Sequence, residues 1–320
     1  MRALLKLAIG AALVVWLLRR QDFDRAALAR LAAHLLGEPL WLAATLAAVL
    51  ACLLCGALRW RLALAGLGVP LSRGRAGAVF LAGHFFNGFL PGSTGGDVVR
   101  AVYAARDVPS RAPEAVMSIV IERLAGVAVL LLLSAAGLLL TPGRRHLPLA
   151  LALFACGALP TLAALLALPE AGRVKRWPLV RHVAGVPRVA PLAHRLYAAL
   201  RIGRSRPKLV LELAGWSVLQ HAAAVASWLA LAAGVGAAVQ PLPFVLLVPA
   251  VLTAQVLPLT PGGLGVREGA AVALLPAAGL AAPHALAVAL ASYGASLAWS
   301  AAGGVVFVLL RERGRAPPAA

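Results

Sequence analysis

Two short segments of the sequence combine glycine and proline with charged residues inside apolar surroundings. The first is Pro91–Asp97, followed by Arg100, and the second is Pro261–Glu268. Both contain Pro-Gly-x-x-Gly with a carboxylate and an arginine close behind. Charges beside helix-breaking residues are costly at membrane depth unless they line a cavity or a buried site. A pair of such segments in the two halves of a chain indicates a binding site of the transporter type.

The glycines of these segments have two interpretations. Free backbone N–H groups at the start of a helix favour an anion, and a phosphate is the anion that we expect in a membrane. Alternatively, the glycines form tight turns that are shaped only for packing. The sequence supports both readings. The candidate anion-binding glycines are Gly92, Gly95, Gly96, Gly262, Gly263 and Gly265.

Arginines and carboxylates near the apolar runs form a second candidate set. A lone charge at the bilayer centre costs about 2.5–3.5 kcal/mol on insertion scales, so we expect these groups to pair. One reading is a polar cavity in which arginine forks hold a lipid phosphate. The other is a set of salt bridges that pins the helices together. The candidate phosphate ligands are Arg100, Arg123 and Arg267, and the charge-balancing or positioning residues are Asn87, Asp97, Glu122 and Glu268.

The composition defines the class of protein that must position these groups. Hydrophobic residues make up 62% of the 320 residues, charged residues make up 13%, and the mean hydropathy is +0.89. These values exclude a soluble domain and predict a polytopic α-helical membrane protein. The net charge of +19 lies mostly in short loops. It therefore indicates membrane orientation and contact with anionic headgroups, and argues against nucleic-acid binding.

The apolar runs predict an all-α protein with about six full transmembrane helices and two re-entrant hairpins in an inverted-repeat-like arrangement. The predicted spans are 3–18, 40–58, 115–140, 147–168, 209–234 and 284–310. Two pairs of segments predict the hairpins, 76–90 with 97–105 and 243–260 with 269–282. Segments 76–90 and 269–282, of about 15 residues, are too short to cross the hydrocarbon core, and Pro249 and Pro258 break segment 243–260. An amphipathic helix over 22–36 is expected at the interface. Arg59-Trp60-Arg61 is expected at the membrane–water boundary.

We interpret residues 1–312 as one transmembrane domain, with residues 313–320 as a disordered tail. Its halves cover about 1–140 and 209–312 and are separated by a basic loop at 170–208. That loop holds ten Lys and Arg residues against one Glu, whereas 235–242 holds no charge. The positive-inside rule therefore places the basic loop and both termini in the cytoplasm.

Four motifs, read in order, carry a family resemblance. They are Gly-Ala-Leu-Arg-Trp-Arg at 56–61, the segment 87–100, Ile-Glu-Arg-Leu at 121–124, and Pro-Gly-Gly-Leu-Gly-Val-Arg-Glu at 261–268. The set resembles the lysylphosphatidylglycerol synthase transmembrane-region family of flippase-like membrane proteins, over nearly the whole chain. In its fused bacterial members, a soluble domain that transfers lysine from aminoacyl-tRNA to phosphatidylglycerol follows. We expect the membrane domain alone here.

The resemblance implies a domain that binds or translocates lipid. It also implies an arginine in the last helix, where this chain has Ser292 and Tyr293. We therefore expect a bacterial inner-membrane protein that binds an anionic lipid headgroup, phospholipid or polyprenyl-phosphate-linked, and assists its translocation. The alternatives are a membrane enzyme that acts on a lipid-linked substrate, using Asp97, Glu122 or Glu268 for acid–base chemistry, and a lipid sensor that does not transport.

Several classes of ligand and partner are not expected. No nucleophile–base pair favours an enzyme, and no close cluster of ligands favours a metal. No cofactor is expected, and the sequence lacks a P-loop that would bind ATP. The expected partner is a membrane lipid, and the protein partners that we consider are a second copy of the chain or a lipid-modifying enzyme.

Overall fold

The fold is built entirely from helices wherever the structure describes it. The computed structural model describes residues 25–89, 95–140, 206–255, 260 and 263–313. These residues form nine α-helices and two 3-10 turns and contain no β-strand. In chain order the α-helices are α1 (Arg25–Gly37), α2 (Pro39–Gly66), α3 (Arg73–Phe89), α4 (Gly95–Asp107), α5 (Ala112–Leu140), α6 (Pro207–Gly234), α7 (Pro241–Ala254), α8 (Val266–Leu274) and α9 (Ala282–Arg313). The predicted all-α class is confirmed.

Four helices are long and apolar enough to cross a membrane, namely α2, α5, α6 and α9. Each coincides with a predicted span, although α2 continues to Gly66, beyond the predicted end at Leu58. The predicted spans 3–18 and 147–168 and nearly all of the basic loop lie outside the described residues. The chain is thus a multi-pass membrane protein by composition and helix length, and the total of six spans stays a prediction.

The extension of α2 shows that the boundary position expected for Arg59 and Trp60 was wrong. Trp60 is fully buried, and Arg59 is only 5% exposed. The Trp60 indole N–H donates a hydrogen bond of 3.0 Å to Ser118 Oγ on α5. The next turn of α2 also packs inside the bundle, since Ala63 and Leu64 are fully buried. Arg59 is therefore surrounded by protein and not by water. A buried arginine is tolerated only when a partner neutralises its charge.

The short helices form two antiparallel pairs. Arg75, near the start of α3, donates hydrogen bonds of 2.7 and 2.9 Å to the carboxylate of Asp107, at the end of α4. The backbone N–H of Gln240, which precedes α7, donates a 3.0 Å bond to the carbonyl of Ala278, which follows α8. In each pair the outer ends are therefore adjacent, as expected of a hairpin.

The outer ends of the two helix pairs lie at opposite ends of the bundle. The side chain of Arg206, before α6, bonds to the carbonyl of Gly66, so the end of α2 meets the start of α6. The α3–α4 pair follows that end of α2, whereas the α7–α8 pair follows the other end of α6. The inverted-repeat-like arrangement of the two halves stays a prediction. The re-entrant position of the pairs in a bilayer stays a prediction.

Both pairs contact the last helix, α9. Arg267 Nη2 on α8 donates a 3.0 Å bond to the carbonyl of Ala289. Ser300 Oγ on α9 donates a 3.1 Å bond to the carbonyl of His84, near the tip of α3. Two clusters of buried apolar residues pack around these helix pairs. One is centred on α7 and α8 and includes Phe244, and the other lies around α3 and α4 and includes Trp60. The polar groups described below lie between these clusters.

The packing of α9 against α3 yields a prediction about stability. A Cβ at Gly303 would lie 2.2 Å from the carbonyl oxygen of Leu81, which is backbone and has little freedom to move. Gly303→Ala should therefore destabilise the protein by about 1–3 kcal/mol, the usual cost of overpacking. The measurement is the temperature at which the detergent-purified protein loses its wild-type elution peak.

Gly294→Ala is the matched control for this change, because it lies on the same helix and its added Cβ would meet nothing within 4 Å. Alanine favours a helix over glycine by about 1 kcal/mol, so this variant should be as stable as the wild type or more so. Equal effects of the two substitutions would contradict close backbone packing at Gly303.

Candidate functional site

A buried carboxylate on α5 organises the polar centre of the bundle. Glu122 is 2% exposed, and its Oε1 accepts a 3.0 Å hydrogen bond from Nε of Arg59 on α2. Its Oε2 accepts bonds of 3.2 and 3.1 Å from Nη1 and Nη2 of Arg100 on α4. Arg59 Nη1 also donates a 2.8 Å bond to Ser217 Oγ on α6. One carboxylate thus joins side chains from three helices, and the hydroxyl adds a fourth.

Asp97 extends this arrangement into a continuous network. Its carboxylate accepts hydrogen bonds of 2.7 and 3.1 Å from Nε and Nη2 of Arg123, and it also pairs with Arg100 one turn along α4. The chain of contacts runs from Arg59 through Glu122 and Arg100 to Asp97 and Arg123. The sequence predicts that Asp97 can pair with Arg100. It also predicts that Glu122 and Arg123 belong to the same set of paired charges, and the structure brings these groups together.

Aromatic rings enclose the guanidinium of Arg100. Its Cζ lies 5.1 Å from the ring centroid of Trp60 and 5.0 Å from that of Phe80. The π faces of aromatic rings attract a cation, and such contacts strengthen when water is excluded. Trp60 therefore contributes to the site from its buried position.

Gly96 and Asn87 hold the first helix pair together. The backbone N–H of Gly96 donates a 2.7 Å hydrogen bond to Oδ1 of Asn87 on α3. A Cβ at Gly96 would lie 2.1 Å from the carbonyl oxygen of Gly83, so glycine permits the close approach of α3 and α4. This N–H already has a partner, which supports the packing reading at Gly96. Gly95 is buried beside it, and Gly92 lies outside the described residues.

The second pair places Arg267 in a similar environment. Gly265 has a φ of 84°, a left-handed conformation that suits glycine, and its N–H is bonded by the carboxylate of Glu268. The other oxygen of Glu268 accepts from Arg267 Nη2. The guanidinium of Arg267 lies 5.4 Å from the ring centroid of Tyr293 on α9. Gly263, also at positive φ, precedes this turn, and Gly262 lies outside the described residues.

One donor of Arg267 has no partner. Arg267 is 4% exposed, and its Nε is buried without a hydrogen bond among the described residues. A buried donor left unpaired costs about 1–3 kcal/mol, so such groups normally have a partner. The Nε of Arg267 is therefore a donor that the described residues leave unsatisfied.

A cavity of about 320 Å³ lies between the two helix pairs. Residues from both pairs and from the four long helices line it, including Arg59, Arg100, Glu122, Arg123, Arg267 and Tyr293. Together with Asp97 and Glu268, which pair with its arginines, this cavity holds four arginines and three carboxylates. In the sequence, stretches 90–94 and 256–262 contain no charged residue. With histidine counted as neutral, the described site carries an excess of one positive charge.

The site therefore assembles all three predicted arginines and adds Arg59. Sequence reasoning missed Arg59 because a Trp flanked by two arginines is typical of a membrane boundary. The apolar residues that continue the helix after it, Leu62 to Ala65, were the available signal. In the part of the chain that the structure describes, no three side chains are arranged to hold a metal ion.

Comparison with known proteins gives one match. The family model described as the lysylphosphatidylglycerol synthase TM region matches residues 3–304, nearly the whole chain. No curated protein and no solved structure matches significantly. The match confirms the resemblance that the four sequence motifs carry.

The network predicts that Glu122 is required for stability. Glu122→Gln would leave Arg59 without a carboxylate partner and Arg100 with Asp97 alone, and breaking a buried pair costs about 3–5 kcal/mol. The measurement is the midpoint of thermal unfolding in detergent, followed by tryptophan fluorescence.

Glu114→Gln on the same helix is the matched control. Glu114 forms a surface pair of 3.3 Å with Arg111, and exposed pairs contribute about 0–1 kcal/mol. We expect this variant to unfold close to the wild-type temperature. If the two glutamine variants unfolded alike, the buried network would not be a main source of stability.

Proposed function

Since the chain belongs to the lysylphosphatidylglycerol synthase TM region family, we propose that its central cavity binds the anionic headgroup of a membrane lipid. We propose further that the protein assists the passage of this lipid across the bilayer. The lipid is a phospholipid or a polyprenyl-phosphate-linked carrier, because both present a phosphate to the arginines.

The unpaired Nε of Arg267 is the observation that carries this proposal. The donor is buried, it belongs to an arginine that lines the cavity, and the described site carries one excess positive charge. A phosphate oxygen would satisfy the donor and neutralise the excess charge at once. Arginine suits this role because its planar fork makes two directed bonds to a phosphate.

The inverted arrangement of the helix pairs favours translocation over simple sensing. The outer ends of the α3–α4 pair lie at the end of the bundle where Arg75 contacts Asp107. The outer ends of the α7–α8 pair lie at the other end, where Gln240 contacts Ala278. Both pairs line the one cavity. In transporters with inverted repeats, substrates bind at such a junction, and movement of one repeat against the other exposes the site to each face in turn.

The carboxylates fit charge balance better than catalysis. Asp97, Glu122 and Glu268 each pair with at least one arginine. A general base must reach the proton that it removes, and these oxygens are already engaged by guanidinium groups. We therefore assign them a positioning role in a protein that is not an enzyme.

The distribution of charge supports an orientation in the bacterial inner membrane. Basic residues gather at one end of the described bundle, at Arg61, Arg73, Arg75, Arg106, Arg111, Arg206, Lys208 and Arg311. At the opposite end of the bundle, the residues at or near the helix termini are Glu38, Gln240 and His284. Helix α1, which contains Arg25 and Arg30, precedes α2 at this same end. By the positive-inside rule, the first end faces the cytoplasm together with both chain termini.

Arg267→Lys should impair lipid movement while leaving the protein folded. Lysine keeps the charge but lacks the second directed donor, and a hydrogen bond to a charged group contributes about 1.5–3 kcal/mol, so we expect a rate at least about tenfold lower. The assay follows an acyl-labelled phospholipid in reconstituted vesicles, with an impermeant reductant that destroys the label on the outer face.

The matched control is Arg73→Lys at the exposed start of α3, which should retain the wild-type rate. Arg204→Lys in the basic loop should be equally silent. Well-folded alanine variants of Arg100, Arg123 and Arg267 extend the test. Wild-type rates in all three would leave the arginines a purely structural role.

The orientation predicts which loops can be labelled from outside. In a chain without its native cysteines, Gly185→Cys should resist an impermeant thiol reagent applied to intact cells, because the basic loop lies inside. Ala238→Cys, exposed in the uncharged loop after α6, should react. Strong labelling at position 185 would reverse the topology.

A further inference from the structure

In the proposed function, the central cavity takes a lipid headgroup while the acyl chains stay outside it. The cavity measures about 320 Å³, and four arginines contribute to its lining. Moving an acyl chain out of hydrocarbon is unfavourable for every CH₂ group, so the chains remain in the bilayer. A side wall of the bundle must therefore open to the membrane when a headgroup enters.

Several walls of the cavity are held by charged groups or by close backbone packing. The network around Glu122 joins α2, α4, α5 and α6. Arg267 bonds to the carbonyl of Ala289 and so holds α8 against α9. Between α3 and α9, a Cβ at Gly303 would lie 2.2 Å from the carbonyl oxygen of Leu81. Separating helices that are joined in these ways would break buried charge pairs or tight packing.

The seam between α2 and α9 is joined differently. The indole N–H of Trp299 on α9 donates a 3.0 Å hydrogen bond to the carbonyl of Leu46 on α2, at the exposed surface of the bundle. Helix α9 has no charged residue at 285–310, so no ion pair holds it to α2 along that length. The carbonyl of Leu46 also accepts the helical bond from the N–H four residues later, because a carbonyl has two lone pairs. Breaking the indole contact therefore leaves this carbonyl with a partner.

The contact lies beside the cavity. Val49 and Leu53, which follow Leu46 within two turns of α2, line the cavity. Ser296 and Leu297, which precede Trp299 on α9, line it as well. Leu46 itself is exposed on the outside of the bundle. Separation of the two helices at this contact would therefore expose the cavity to the membrane.

We infer that the seam between α2 and α9 is a lateral portal of the cavity, and that the hydrogen bond from Trp299 to Leu46 is the latch that keeps it closed. This inference rests on the proposed function and extends it from the binding site to the path of the lipid. In the open state, the headgroup passes between the two helices while the acyl chains stay in the bilayer beside them.

Cys52 lines the cavity and can report the opening of the portal without any movement of lipid across the bilayer. In a chain with Cys55→Ala and Cys156→Ala, it is the only thiol. The probe is a phosphatidylethanolamine whose amine carries a maleimide, added to vesicles that hold the protein. Trp299→Phe should speed the labelling of Cys52 about fivefold, because one hydrogen bond no longer opposes opening.

Two controls accompany this measurement. Trp41→Phe changes a tryptophan of α2 that packs beside Gly234 of α6, and it should leave the labelling rate unchanged. A water-soluble maleimide should label Cys52 at the same rate in the wild type and in Trp299→Phe. If Trp299→Phe also sped labelling by the water-soluble reagent fivefold, the substitution would have loosened the whole bundle, and the latch would be wrong.

A cross-link tests the portal in the opposite direction. Leu46→Cys and Trp299→Cys, in a chain without native cysteines, are joined by a short bifunctional thiol reagent. The joined protein should no longer move the acyl-labelled phospholipid, whereas the same protein before the reaction should move it. The matched control joins Gly66→Cys to Leu209→Cys, since these positions are in contact and tie α2 to α6. It should move lipid equally well before and after cross-linking.

The outcomes separate this inference from the proposed function. Equal labelling of Cys52 in the wild type and in Trp299→Phe, or lipid movement that continues after the seam is joined, would overturn the portal and keep the phosphate site. Labelling that depends on Trp299 in a protein that moves no lipid would keep the portal and overturn translocation. If Trp299→Phe fails to fold, the cross-linked pair decides the question.

Discussion

The structure depends on the neutralisation of arginines inside an apolar bundle. Arg59 and Arg100 reach Glu122 from separate helices, and each is almost fully buried. A charge in a low-dielectric interior is strongly unfavourable alone, and its attraction to a partner is correspondingly strong. The pairing around Glu122 therefore constrains α2, α4 and α5 relative to one another, and Ser217 brings α6 into the same arrangement.

The two helix pairs solve the same physical problem from opposite ends. On α4, Arg100 is held by carboxylates and enclosed by Trp60 and Phe80. On α8, Arg267 is held by Glu268 and lies near Tyr293. A carboxylate and an aromatic face accompany each arginine, although the sequences of the pairs differ. Tyr293 lies on α9, the helix in which the family resemblance implies an arginine. In this chain, the aromatic ring of Tyr293 lies beside the guanidinium of Arg267 instead.

The incomplete pairing at the centre connects the fold to its proposed role. A wholly satisfied network would rigidify the bundle and need no ligand. Here the Nε of Arg267, a donor on an arginine that lines the cavity, has no hydrogen-bond partner among the described residues. In the proposed role, an anion bound in the cavity would accept a hydrogen bond from this donor, and its release would leave the donor unsatisfied again. A protein that moves a lipid across the bilayer must bind the headgroup and then release it.

The sequence determined the helical class, the four described long helices and the short pairs, because apolar run length and helix-breaking residues are local properties of the chain. It also located Arg100, Arg123 and Arg267, since a charge inside an apolar run needs a reason wherever it lies. Only the tertiary structure decided that Arg59 is buried and that Gly96 serves close packing. These roles depend on which distant segment packs against each residue: Glu122 lies 63 positions from Arg59, and such contacts are set by the folding of the whole bundle.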